Sequence, residues 1–328
     1  MKIFIKKAAI FFLIFLFLNG ILAGLLVVPR HFLDRAGGRM PGEWWDDFYA
    51  QKNDSIDIIF LGSSHAYSGF DPRVINEKIG LNAFVMSSGS QNPLGSYFVL
   101  REALKTQHPK LVVLETFWQT TYTDGDRAGS FFRIYPYMKF GENKISFFRA
   151  SPFNKFIYLV YPSLQFKESI LALPRLISGK FKRNITYHGY VAAGGLPPAP
   201  LREVAATTPF DVAAIDQKNI EYLHKIVALC RENNIPLVFV TAPVRQDMVD
   251  ALGNYDQVHA VTAELAEKMQ VPYIDYVMSN RTTHLFSSTD FIDSGHLNQA
   301  GAAKLSDDFS RRSKDFFTST PSVLNAHN

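Results

Sequence analysis

Residues 56 to 65 read Ile-Asp-Ile-Ile-Phe-Leu-Gly-Ser-Ser-His, and this stretch decides the fold. Ile56 to Leu61 is a short β-rich apolar run with no helical period, and it stops at a glycine and two serines. Runs of this kind are strands of a parallel α/β sheet, whose two faces are both covered by helices. Ligand sites in such sheets lie beyond the carboxyl ends of the strands, so a serine leaving the run stands where chemistry is done. Taken alone, Gly62-Ser63-Ser64-His65 also reads as an ordinary turn or helix cap.

Outward from this run the chain alternates strand and helix, which defines an α/β domain with a mostly parallel sheet. Further strands are expected at Asn82 to Met86, Leu111 to Glu115, Pro236 to Thr241 and Val271 to Tyr276. Helical spacing marks Leu94 to Thr106, Ile215 to Asn233, about Tyr255 to Met269, and Gln299 to Phe317. The alternation fails over residues 120–210, which are rich in Phe, Tyr, Arg and Pro. A loop of that length without structure is improbable in a compact domain, so a partly helical insertion is expected, either a cap over the site or a docking face. Residues 56–317 thus form the domain, and 318–328 a flexible tail.

The N-terminus sets the compartment. Lys2, Lys6 and Lys7 precede an apolar run from Ala8 to Val28, long enough to cross a bilayer as a helix. The run exceeds the hydrophobic stretch of a cleavable signal and lacks a small-residue cleavage site. We therefore read residues 1–29 as a cytoplasmic stub and transmembrane signal anchor, and 30–55 as a juxtamembrane linker. The lysines are expected to stay in the cytoplasm, placing the domain outside the membrane, in a bacterial periplasm or at the cell surface. Trp44 and Trp45 either sit at the bilayer interface or pack on the domain.

The rest of the composition excludes several classes. In 328 residues, 47% are hydrophobic and 20% charged, which suits a globular chain with one apolar appendage. A formal charge of +4, scattered apart from Lys180, Lys182 and Arg183, gives no basic stripe for nucleic acid. One cysteine, Cys230, permits no internal disulfide and no cysteine-rich metal site. No zinc, phosphate-loop or calcium-loop pattern occurs, so neither metal nor cofactor is expected.

The second chemical motif is Asp293-Ser294-Gly295-His296, opening the last helix. An Asp-x-x-His turn brings a carboxylate to one imidazole nitrogen and leaves the other for a serine. Asp275 is a competing acid, but it ends a strand and lacks this spacing. His284 and Asp290 read as solvated loop residues. His65 either lines the site or caps a helix.

Together, Gly62-Ser63-Ser64 after the first strand and Asp293-x-x-His296 before the last helix resemble the SGNH/GDSL hydrolase superfamily, with serine in place of the aspartate of its first block. The resemblance spans about 56–317, outside the insertion. It implies a three-layer α/β/α flavodoxin-like fold, with Ser64 as nucleophile and His296 and Asp293 as its base and orienting acid. The second block falls in Ser87-Ser88-Gly89-Ser90-Gln91, which implies Gly89 as an oxyanion donor, or Ser90 if the register slips. The glycine and asparagine of the third block are absent. Glu115-Thr116-Phe117-Trp118-Gln119 stands there instead, with Gln119 or Thr116 as substitute donors.

The missing asparagine block and the anchor are similar to the superfamily branch that acylates bacterial cell-surface polymers, including the alginate O-acetylation and teichoic acid D-alanyl transfer proteins. That likeness implies an acyltransferase acting on a polysaccharide, with a membrane-bound O-acyltransferase as partner. A carbohydrate or lipid esterase, and a non-catalytic glycan-binding or scaffold protein, are the alternatives.

Overall fold

The computed structural model describes residues 2–37, 42–123, 127–151, 185–192 and 208–318. The Lys180, Lys182 and Arg183 group, most of the 120–210 insertion and nearly all of the 318–328 tail lie outside them.

Five strands form one wholly parallel sheet in the order β2-β1-β3-β6-β7: β1 (Ile58–Gly62), β2 (Ala83–Ser87), β3 (Leu111–Glu115), β6 (Leu237–Thr241) and β7 (Tyr273–Asp275). Counted within the sheet this is the flavodoxin-like order, whose direction reverses between β1 and β3. The expected strands are all present, with ends shifted by one or two residues.

Alternation along each strand divides the core in two. Ile59 and Leu61, with Phe84, Met86, Val112 and Leu114, face one cluster. It is completed by the helices Pro93–Ala103 and Gln217–Glu232. Ile58 and Phe60, with Ala83, Val85, Val113 and Val238, face the other, covered by Phe70, Ile75, Ala302, Leu305 and Phe309. The last three come from the C-terminal helix Gln299–Thr318. Phe60 is sealed from solvent and stacks on Phe70 at 4.3 Å between centroids, with Phe309 edge-on at 5.4 Å. Burying one such ring stabilises the fold by about 1.5–3 kcal/mol. Cys230 is buried in the first cluster as an inert thiol.

Three further pieces matter. The helix Gly42–Tyr49 docks on the first cluster through buried Trp44, Trp45 and Phe48, and Phe48 packs edge-on against Phe84. The tryptophans therefore belong to the domain. Within the insertion, the helices Arg127–Ile134 and Glu142–Ala150 add Phe131, Ile134 and Phe147 to that same cluster, so this part buttresses the core. A hairpin, β4 (Ile185–Tyr187) and β5 (Tyr190–Ala192), accepts the Val85 N–H at its His188 carbonyl and covers the edge of β2. The N-terminal helix Lys2–Gly37 contains a segment, Lys2–Leu22, that is long and apolar enough to cross a membrane, and none of it is buried against the protein.

The end of β1 is the tightest point. Gly62 has φ +136, and a Cβ there would lie 2.6 Å from Glu115 Cβ and 3.1 Å from its carbonyl oxygen. Any side chain would force β1 away from β3 as well as strain the backbone. We expect Gly62→Ala to lower stability by about 1–3 kcal/mol, read as a lower urea midpoint with an unchanged slope; a variant as stable as the parent would contradict this close approach.

Candidate active site

The short helix Ser64–Gly69 begins immediately after β1, with Ser63 as its N-cap accepting from the His65 N–H. This abrupt turn puts Ser64 above the sheet's carboxyl edge, at the point where strand order reverses. The facing wall is the loop before the C-terminal helix. Its ends are tied by a bridge between Phe291 and Leu297 and by Ile292 N–H donating to the His296 carbonyl. Arg245, just past β6, donates its N–H to the Ser294 carbonyl and holds the loop's middle.

Within that loop Asp293 organises everything locally. Its Oδ1 accepts the N–H groups of Gly295 (2.9 Å) and His296 (2.7 Å), and the carboxylate also accepts from His296 Nδ1 at 3.0 Å. A proton on Nδ1 leaves Nε2 as an acceptor. Ser64 Oγ stands 2.8 Å from it. Burial pushes the Asp293 carboxyl up, but the His296 hydrogen bond and charge and the two backbone N–H groups outweigh it, holding the group well below the usual carboxylate range. Asp293 is thus an anion whenever His296 needs one.

Beneath this chain runs a second network that the sequence did not suggest. Glu115, at the end of β3 and 3% exposed, accepts the Ser63 N–H at 2.9 Å and the Ser63 hydroxyl at 2.7 Å on Oε2. Ser63 Oγ in turn lies 3.1 Å from His65 Nδ1. With its own proton given to Glu115, Ser63 accepts from His65, which fixes the Nδ1–H tautomer. The His65 ring is buried between Phe117 (3.9 Å) and His296 (4.8 Å, planes 17° apart). Burial, then the neighbouring His296, lowers its pKa well below the ordinary range, so a neutral ring backs the His296 imidazole. His65 therefore lines the site, and Ser63 is the residue that caps the helix. A carboxylate ending a buried strand was the available signal for Glu115.

The other expected donors separate. The Gly89 carbonyl accepts from Arg133 Nη1 at 2.9 Å. Since N–H and C=O of one peptide point oppositely, the Ser90 N–H faces away from Arg133. Ser90 takes φ +56, a conformation costly for a serine, and lines the cavity, whereas Gly89 does not. Of the two, Ser90 is the residue that reaches the cavity. Gln119 is exposed at the rim on the helix Trp118–Thr121. Thr116 is buried, bonded to Thr241 at 3.0 Å and away from the cavity. Asp275 accepts from Tyr255, Tyr273 and His259 and caps the helix Tyr276–Thr283, so it plays a packing role. Asp290 is buried against Lys304 and the Ser287 N–H, more than the solvated residue expected. His284 ends the Tyr276–Thr283 helix in a left-handed conformation, exposed.

Ser64, His65, Ser90, Asp293 and His296 share a cavity of about 920 Å³. Its apolar wall comes from Phe117, Trp118, Tyr122, Phe210, Met248 and Leu252, which belong to a third hydrophobic cluster beyond the strand ends. Phe210 brings the end of the insertion to the cavity. Among the described residues no group of His, Cys, Asp and Glu side chains could hold a metal ion.

No family model matches the chain, and no curated protein matches it. Among solved structures it is similar to a protein of Bacteroides fragilis provisionally described as an acylhydrolase (12% identity, TM-score 0.43, covering 84% of this chain and 95% of that one). An acetyl xylan esterase is similar at 14% identity and TM-score 0.38, over 78% of this chain and 99% of that one. At these scores the likeness says nothing about activity.

Burial is the main cause that raises Glu115 from its usual 4.5 to about 7. Between those values the unfolded chain releases this proton before the folded one, so the group's contribution to stability falls as pH rises, by about 1.4 kcal/mol per unit at most. Glu115→Gln keeps an acceptor for Ser63 and never ionises. Its melting temperature relative to the parent is expected to rise steadily from pH 5 to 7 and then level off; a difference that is flat across this window would show that Glu115 ionises normally.

Proposed function

We propose that this chain is a membrane-anchored serine acyl-transfer enzyme acting on an extracytoplasmic polysaccharide. The single observation that carries the reading is the Ser64 Oγ–His296 Nε2–Asp293 chain at the wall of a partly apolar cavity. As Ser64 Oγ bonds to the carbonyl carbon of an ester donor, His296 takes its proton and Asp293 stabilises the resulting imidazolium. Backbone N–H groups of Ser64 and Ser90 face the developing oxyanion. Collapse breaks the bond to the donor's alcohol, which leaves with the proton from His296. A sugar hydroxyl then gives its proton to His296, attacks the Ser64 ester and departs acylated, while Ser64 recovers the proton. A multi-span membrane O-acyltransferase is the partner suited to supply the acyl group.

The exported location is part of the same reading. The Lys2–Leu22 segment spans about 31 Å as a helix, a bilayer's hydrocarbon thickness, with lysines at its leading end. Hydrolysis is the second reading, favoured by the openness of the site: the Asp293 side chain is 44% exposed and that of His296 26%. Water reaching the acyl-enzyme would make the chain an esterase.

In detergent micelles the full chain is expected to release acetate from a chromogenic acetyl ester and to be labelled by a fluorophosphonate. Ser64→Ala should remove labelling and cut the rate about 10⁴-fold or more. Equal rates for parent and variant, with no labelling of either, would leave only a non-catalytic role. Adding a soluble oligosaccharide separates the two enzymatic readings: acetyl appearing on sugar supports transfer, and acetate alone supports hydrolysis.

A further inference from the structure

The mechanism above provides the oxyanion with backbone donors only, and the side-chain donors expected near β3 are not where they are needed. We propose that Asn92 supplies the missing donor through Nδ2, an assignment that rests on Ser64 being the nucleophile.

Asn92 is the N-cap of the helix Pro93–Ala103. Its Oδ1 accepts the Gly95 N–H at 3.0 Å and the Ser130 hydroxyl at 3.5 Å. A backbone N–H can be received only by the amide oxygen, so the cap settles which end of the amide is which. The oxygen faces the helix, and Nδ2 is turned away from it. The residue is 7% exposed and lines the same cavity as Ser64 and His296. Among the described residues Nδ2 makes no hydrogen bond, yet it is not one of the polar atoms sealed from solvent without a partner. An amide with two unused N–H groups at a cavity wall can meet an acceptor from the cavity side. Once a bound substrate displaces solvent there, an acceptor must replace the water or about 1–3 kcal/mol is lost.

The surrounding loop points the same way. Arg133 fixes the Gly89 carbonyl and so turns the Ser90 N–H, while Ser90 itself is held at φ +56. Residues 88–92 therefore present one backbone and one side-chain donor from a single rigid turn. Gln119 is the competitor, but it is exposed at the rim. Ordering its long side chain would cost up to about 1.5–2 kcal/mol at each turnover. Asn92 is already immobilised by its cap, and a preorganised donor adds no such cost in the transition state.

Asn92→Asp tests this in the full chain, because the carboxylate keeps the capping oxygen and the volume but has no N–H. The expected result is a drop in kcat for the chromogenic acetyl ester of about 10²–10³-fold. KM and melting temperature should stay near the parent's, with fluorophosphonate labelling of Ser64 slowed in proportion. A residue that only caps the helix would leave the uncharged Asn92→Ser, which keeps a capping oxygen without adding a charge beside the oxyanion, as fast as the parent. That result, alongside an inactive Ser64→Ala, overturns the Asn92 assignment and leaves the nucleophile standing. A parent no faster than Ser64→Ala would remove the nucleophile and this assignment together. Should Asn92→Asp fail to fold, Asn92→Ser keeps a capping hydroxyl, loses the amide and carries the same expectation.

Discussion

The structure depends on the contact between the ends of β1 and β3. Gly62 brings its backbone against Glu115, and the buried Glu115 carboxyl takes both the N–H and the hydroxyl of Ser63. These bonds hold the chain while it leaves β1 and starts a helix at the next residue. Ser64 is therefore lifted clear of the sheet with little freedom of its own. Parallel pairing of β1 with both β2 and β3 places this turn where the strand order reverses, the position at which such sheets open a crevice.

The opposite wall is built by a different means. Asp293 holds its own loop by accepting two backbone N–H groups, and it aims the imidazole with the same carboxylate. Packing completes the alignment: His65, kept neutral by burial, lies flat against His296. Two acids thus work in contrast. Against its partial burial, the His296 hydrogen bond and charge and two backbone N–H groups keep Asp293 ionised, whereas burial drives Glu115 toward its protonated form.

The features legible in the sequence are those written in short-range pattern. Apolar runs ending in turn residues located all five sheet strands, and the three-residue spacing of Asp293 and His296 located the carboxylate–imidazole pair that meets Ser64. Some helices were missed although their signals are local: Asp71-Pro72 and Gly80 bracket Pro72–Ile79 with an N-cap and a left-handed C-cap. Glu115 and the turn of Ser90 toward the cavity are another matter. Their roles arise where β3 meets β1 and where Arg133, more than forty positions away, meets the Gly89 carbonyl. No spacing in the chain encodes such meetings. The insertion's aromatic residues divide by contact partner: Phe131 and Phe147 pack with Phe98 in the core, while Tyr122 and Phe210 line the cavity.

The docked helix Gly42–Tyr49 has a consequence for reach. With Trp44, Trp45 and Phe48 locked into the core, only residues 38–41 separate the domain from the end of the N-terminal helix at Gly37. Five Cα-to-Cα steps extend at most about 19 Å. On the proposed reading, with Lys2–Leu22 in the bilayer, the helix beyond it to Gly37 adds about 22 Å, so the domain is held within about 40 Å of the membrane and meets chiefly what the membrane itself presents. Donors delivered from the lipid phase would find it at high local concentration, while a polymer acceptor would be modified only along the stretch that passes close to its point of export.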